Sequence, residues 1–106
     1  MRDANPPVVP AEGPDRVWTL LTSHGRVLLL IAQDPQLRIR ELASAAGITE
    51  RSTQAIVADL ERAGYLSKSK VGRRNAYTIH AAQPFRHPAE SGHTVGELMQ
   101  VFAPAS

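Results

Sequence analysis

Apolar residues recur along this chain in short periodic runs, each closed by glycine or proline. The first clear run holds Val27, Leu28, Leu30 and Ile31, with Ser23 ahead of it as the expected N-cap. The Asp34–Pro35 step ends it, because the proline ring pushes the preceding residue out of the α region. A helix over 23–33 follows. Gly25 inside it costs about 1 kcal/mol relative to alanine, which points to close packing or to a slightly later start. Before it, residues 16–22 fit a strand or a helical turn equally well.

Leu37-Arg38-Ile39-Arg40 then alternates apolar and basic, a short strand-like approach to a helix over Glu41–Ala46 that Gly47 stops. Ile39, Leu42, Ala43 and Ala46 share one helical face. Thr49 can cap a third helix, with Glu50 in its first turn complementing the helix dipole. That helix is expected from Glu50 to Ala63, with Thr53, Ile56, Val57, Leu60 and Ala63 on one face and Gly64 as a left-handed C-terminal stop. Beyond it, Tyr65–Val71 and Ala76–Ile79 read as strands joined at Gly72-Arg73-Arg74-Asn75, where Gly72 and Asn75 tolerate positive φ. Residues 81–93 contain Pro84 and Pro88 and are expected as an irregular linker. A last amphipathic helix over 94–103 opens on the capping box Thr94…Glu97 and carries Val95, Leu98, Met99 and Phe102 as a stripe.

Composition narrows the picture to one small domain with tails. The chain has 106 residues, of which 42% are hydrophobic, and no cysteine. A domain of this size buries only about 60–65% of its unfolded surface, so a partner subunit would help it. The absence of cysteine excludes disulfides, a thiol nucleophile and Cys-ligated zinc. His24, His80, His87 and His93 show no metal-ligand spacing, so no metal site and no cofactor are expected. Residues 1–14 hold Pro6, Pro7, Pro10 and Pro14 and read as a disordered leader without the apolar core of a signal peptide. The longest apolar run, Val27–Ala32, is far short of a membrane span. A cytoplasmic protein is the expectation.

Charge changes the picture more than its total suggests. The net charge is +2, but residues 16–86 hold eleven of the twelve basic residues against five acids. Arg62, Lys68, Lys70, Arg73, Arg74 and Arg86 follow one another with no acid between them. Such a stretch is either an ordinary solvated basic face or the footprint of a polyanionic partner.

The ordered set of helix, helix, turn, helix and basic hairpin resembles the winged helix-turn-helix domains of bacterial regulators of the MarR and ArsR type. The residues that carry the resemblance are Ile39-Arg40-Glu41-Leu42-Ala43, Gly47-Ile48-Thr49-Glu50-Arg51, Asp59-Leu60-Glu61-Arg62-Ala63-Gly64-Tyr65-Leu66 and Gly72-Arg73-Arg74-Asn75-Ala76-Tyr77. They span about Ser23–Ile79. The tail His80–Phe102 also resembles that of small one-domain actinobacterial versions. The implied fold class is mainly α with a small β-hairpin (α+β), with a winged helix-turn-helix over 15–80.

The resemblance implies double-stranded DNA as partner and a nucleoid-associated, non-enzymatic role in transcription. In such a fold the third helix enters the major groove, which puts Thr49, Glu50, Arg51, Ser52 and Gln54 at base edges and phosphates. Arg51 suits guanine and Gln54 suits adenine. Arg73 and Arg74, with Asn75, form a wing tip for the minor groove or its phosphates, and Lys68 and Lys70 approach the backbone. Arg38 and Arg40 flank the N-terminus of the preceding helix, whose free amides also suit phosphate. Ala55 departs from the pattern, since many relatives place a longer polar side chain there.

The last helix is too short to persist alone, so its stripe must pack on something. It either closes over the first helix or crosses to a second subunit with Trp18, Leu21 and Leu29. A homodimer is favoured, because relatives read two half-sites about one helical turn apart. Two other readings stay open: a winged-helix module that binds a protein, which Ala55 and Glu50 allow, and a small-ligand or metal-responsive sensor, for which no pocket lining and no effector can be named. No phosphate loop, catalytic triad spacing or carboxylate pair suggests an enzyme.

Overall fold

The computed structural model of the chain describes residues 18–103. The proline-rich leader over 1–14 lies outside them. Three helices come first, α1 (Ser23–Gln33), α2 (Ile39–Ala46) and α3 (Glu50–Arg62). An antiparallel hairpin, β1 (Leu66–Val71) and β2 (Arg74–Ile79), follows, and α4 (Val95–Val101) closes the order. The fold class is a winged helix, mainly α with one two-stranded hairpin.

Local chemistry sets the helix ends, sometimes one residue from where the sequence suggests. Thr22, not Ser23, caps α1: its extended backbone lets Oγ1 accept the Gly25 N–H at 3.1 Å. A methyl at Gly25 would meet neighbours only at 3.7–3.9 Å, so close packing is not why glycine stands there. Leu37–Arg40 is not strand-like. Ile39 and Arg40 are already the first turn of α2, because the Glu41 carboxylate accepts the Arg38 N–H at 2.8 Å and holds Arg38 as an extended N-cap. The apolar-basic alternation still separates half-buried Leu37 and Ile39 from exposed Arg38 and Arg40.

Gly47 ends α2 with φ 74°, a conformation that strains any other residue. Thr49 caps α3 through Ser52 N–H at 3.0 Å. Fully buried Thr53 is satisfied by donating back to the Thr49 carbonyl at 2.8 Å. Ala63 is the C-cap of α3 rather than its last residue.

The hairpin turn is shorter than the sequence suggests. Val71 pairs with Arg74 and Lys70 with Asn75, leaving Gly72 and Arg73 alone in the turn. Gly72 has φ 65° and no non-glycine residue described has positive φ, so Asn75 is a strand residue. Two-residue turns with glycine first match the right-handed twist of a two-stranded ribbon.

One core joins all elements. Val27, Leu28 and Ile31 of α1 meet Leu42 of α2, Ile56, Val57 and Leu60 of α3, Leu66 and Tyr77 of the hairpin, and Val95 of α4. Burying each such aliphatic side chain is worth about 1.5–3 kcal/mol. Residues 81–93 form turns that lie against this body rather than a spacer. Phe85 packs on the core, Pro84 bridges Thr94, and Val95 N–H donates to Gln83 O at 2.9 Å.

Candidate nucleic-acid interface

The buried stripe of α3 is Thr53, Ile56, Val57 and Leu60, so helical geometry turns the residues between them outward. Glu50, Arg51, Ser52, Gln54 and Ala55 are all exposed. Arg51 and Ala55, one turn apart, stand opposite the buried stripe. Thr49 is exposed too, with its Oγ1 already accepting the Ser52 N–H.

The fold brings residues from distant parts of the sequence to this side. Gln54 and Glu61 of α3 share a groove of about 290 Å³ with Lys68 of β1 and half-buried Asn75 of β2. A second cleft, about 200 Å³, places Arg38 beside Arg73 and Arg74 across 35 residues of chain. Lys68, Lys70 and Arg73 are exposed along β1 and the turn. Arg40 is exposed in the first turn of α2 but lines neither groove. Arg74 differs from its neighbour, since its Nη2 donates to the Gln36 carbonyl at 2.7 Å.

Two electrostatic details were not legible in the sequence. His24 Nε2 lies 2.8 Å from Asp59 Oδ2, joining the start of α1 to α3 across 35 residues, and Arg62 pairs with the same carboxylate. The His24 hydrogen bond, with Arg62 assisting, holds the Asp59 carboxyl below its ordinary value. Arg62 therefore contributes less to the basic stretch than its place in the sequence implies. The only local signal was the Asp59–Arg62 spacing of three on one helix. These groups rim a cavity of about 730 Å³ between the start of α1, the end of α3 and residues 83–86.

The apolar residues expected at a subunit interface divide. Val95 is fully buried in its own chain's core and cannot meet a partner, and Leu29 is 8% exposed. Their burial follows from α4 lying over its own body: the Val95 and Gly96 amides donate to Gln83 O and Ala81 O. Leu21, Leu98 and Met99 are half-buried, while Trp18 and Phe102 remain exposed at 80% and 45%. Among the described residues no group of three or more His, Asp or Glu could hold a metal ion, and no helix is long and apolar enough to cross a membrane.

The family model for MarR matches residues 18–74, more than half of the chain, running from Trp18 through the three helices to the first residue of β2. The chain belongs to the MarR family. Among solved structures in that family's fold, the PcaV transcriptional regulator from Streptomyces coelicolor, solved with its natural ligand, superposes with a TM-score of 0.50 at 21% identity. The match covers 77% of this chain and 60% of PcaV. MepR, a transcription regulator of the Staphylococcus aureus multidrug efflux pump MepA, gives a TM-score of 0.48 at 20% identity, over 54% of this chain and 44% of MepR. The MarR-type chain described here thus spans less than two thirds of the length of either structure. No curated protein sequence matches it.

Proposed function

We propose that this MarR-family chain regulates transcription by binding double-stranded DNA, with the N-terminal half of α3 in the major groove and the wing on the flanking minor groove and backbone. The observation that carries the reading is that exposed cations flank two grooves beside α3 and the wing: Lys68 faces Gln54 of α3 in one and Arg38 faces Arg73 in the other. Arg51 and Lys70 are exposed on the same helix and strand as Gln54 and Lys68. Clustered charge of one sign raises the local concentration of a polyanion and speeds its capture. Arg51 and Gln54 supply base readout, and Thr49, Ser52, Arg38 and Arg40 supply phosphate contacts. Glu50, in the first turn of α3, can accept from a cytosine amino group. Such a regulator works in the cytoplasm, at the nucleoid.

The active form is a homodimer, supported by the exposed Trp18 and Phe102 and by half-buried Leu21, Leu98 and Met99 beside them in sequence. Leu29 takes part only as the floor of the groove it lines with Met99 and Phe102.

Titration of a generic duplex across salt concentrations tests the reading. Each neutralised phosphate contributes about −0.9 to the log–log slope. Arg73→Ala is expected to weaken binding to every sequence and to flatten the slope by about 0.9, whereas Arg51→Ala should change sequence preference. A folded chain that fails to shift a duplex at low salt would instead favour a protein-binding module. Light scattering reads the dimer, and a monomer at micromolar concentration that still binds one half-site defeats that part.

A further inference from the structure

The two strands of the wing are held very differently. In β1 only Leu66 is buried and the five residues after it are exposed. β2 is tied to the α1–α2 turn at its start and midway, and to the residue before β1 just past its end. At its start the Arg74 guanidinium donates to Gln36 O at 2.7 Å, in the turn between α1 and α2. Midway, the Tyr77 N–H donates to Pro35 O at 3.0 Å in the same turn. Just past its end, the His80 N–H donates to Tyr65 O at 2.9 Å.

The His80 ring adds two more ties. Its Nδ1 lies 2.8 Å from Gly64 O and its Nε2 lies 3.0 Å from Ser67 Oγ. A carbonyl oxygen only accepts, so Nδ1 carries a proton and donates it to that bond. Gly64 is the left-handed residue just after α3, with φ 84°, and Ser67 is the second residue of β1. One imidazole therefore bridges the end of the reading helix and the base of the wing. A lone two-stranded ribbon is marginal in water and pivots at its ends unless something holds it.

We infer that Arg74 and His80 are positioning residues that set the wing's angle against α3 and so present Lys68, Lys70 and Arg73, rather than contacts to DNA themselves. The inference rests on the DNA-binding reading above. Adjacent arginines thus have different work: Arg73 touches the duplex and Arg74 holds the strand that carries it.

Duplex titrations with Arg74→Gln and His80→Ala test this. Affinity should fall about three- to tenfold in each, the scale of one or two lost hydrogen bonds. The salt slope should fall by more than the about 0.9 of a single phosphate contact, because several cations are misplaced together. In a Lys68→Ala, Lys70→Ala, Arg73→Ala background neither substitution should matter, since the wing has nothing left to present. A loss that persists in that background, or a His80→Ala slope equal to the parent's, overturns the inference. His80→Asn keeps an amide donor for Gly64 O and should recover part of the binding; with Arg74→Gln it decides the matter if His80→Ala does not fold. If the unsubstituted chain binds no duplex, the DNA reading fails, and hydrogen exchange decides the positioning. Faster exchange confined to the β2 amides in both variants supports it, and unchanged exchange there defeats it.

Discussion

Helices α3 and α4 begin in the same way and are held in different ways. Each opens on a threonine whose hydroxyl accepts a first-turn amide, Ser52 N–H for Thr49 and Glu97 N–H for Thr94. Each has a glutamate in its first turn. Yet α3 buries four side chains and α4 buries one, Val95. Capping decides where a helix starts, and burial decides how firmly the rest of the protein depends on it. The proposed reading helix threads the core with four side chains, whereas α4 is a short lid seated by buried Val95, by half-buried Met99 packed on the core, by its cap and by a close backbone approach.

The largest expected effect comes from cutting the burial that distinguishes α3. Leu60→Ala should lower the free energy of unfolding by about 2–5 kcal/mol, because a cavity remains where the side chain stood. Denaturant unfolding followed by circular dichroism measures it, and a loss below 1 kcal/mol would mean that α3 is no better anchored than α4.

Next in size is the close approach that seats α4. A Cβ at Gly96 would lie 2.9 Å from both the Cβ and the carbonyl oxygen of Ala81, and the Gly96 N–H already donates to that oxygen at 2.8 Å. Gly96→Ala therefore forces the helix off its seat, at a cost of about 1–3 kcal/mol. Faster exchange at the α4 amides, with α1–α3 protection kept, is the expected result. A uniform loss of protection would show instead that α4 and the helical body unfold as one unit.

The shared cap then separates the two helices. Thr49→Ala should reduce global stability by about 1 kcal/mol. Thr94→Ala should fray α4 with almost no movement of the main unfolding transition. Equal shifts in the denaturation midpoint for the two variants would break the comparison.

Acid gives the smallest effect. The Glu97 carboxyl is held below its ordinary 4.5 first by the Thr94 backbone N–H and then by the hydrogen bond from His93. A carboxyl with a lowered folded pKa adds stability above its unfolded value and loses it as the pH falls through the folded one. Protection of the α4 amides, corrected for intrinsic exchange, should therefore begin to fall below pH 4.5 and continue to fall as Glu97 is protonated. Glu97→Gln should flatten that dependence, and an unchanged profile would remove the cap from the account of α4.

What was legible in the sequence was what short-range physics writes there. Apolar spacing marked the faces of α1 and α3, the Gly47 and Gly64 stops marked helix ends, and Thr49 and Thr94 marked starts. These signals act within about four residues, so the order of elements and the family resemblance followed from them. The outward face of α3, with Arg51 and Gln54, was legible for the same reason, because helical period alone separates it from Ile56 and Leu60.

What only the tertiary structure decided involves partners far apart in the chain. Local pattern does not separate Arg74 from Arg73, yet the Arg74 guanidinium donates to the Gln36 carbonyl, 38 residues away. His24 had no partner in its own neighbourhood, and Asp59 supplied one across the fold. Val95 carried the periodicity of an interface residue, but periodicity says only that a face is covered and not by which chain. The turns over 81–93 fold α4 back onto its own body, where Val95 enters the core and Gly96 meets Ala81. Sequence determined which surfaces of this protein must be hidden and which side chains carry charge. Long-range packing determined what hides each surface and which cations are held in place, because those energies depend on distances that no local pattern encodes.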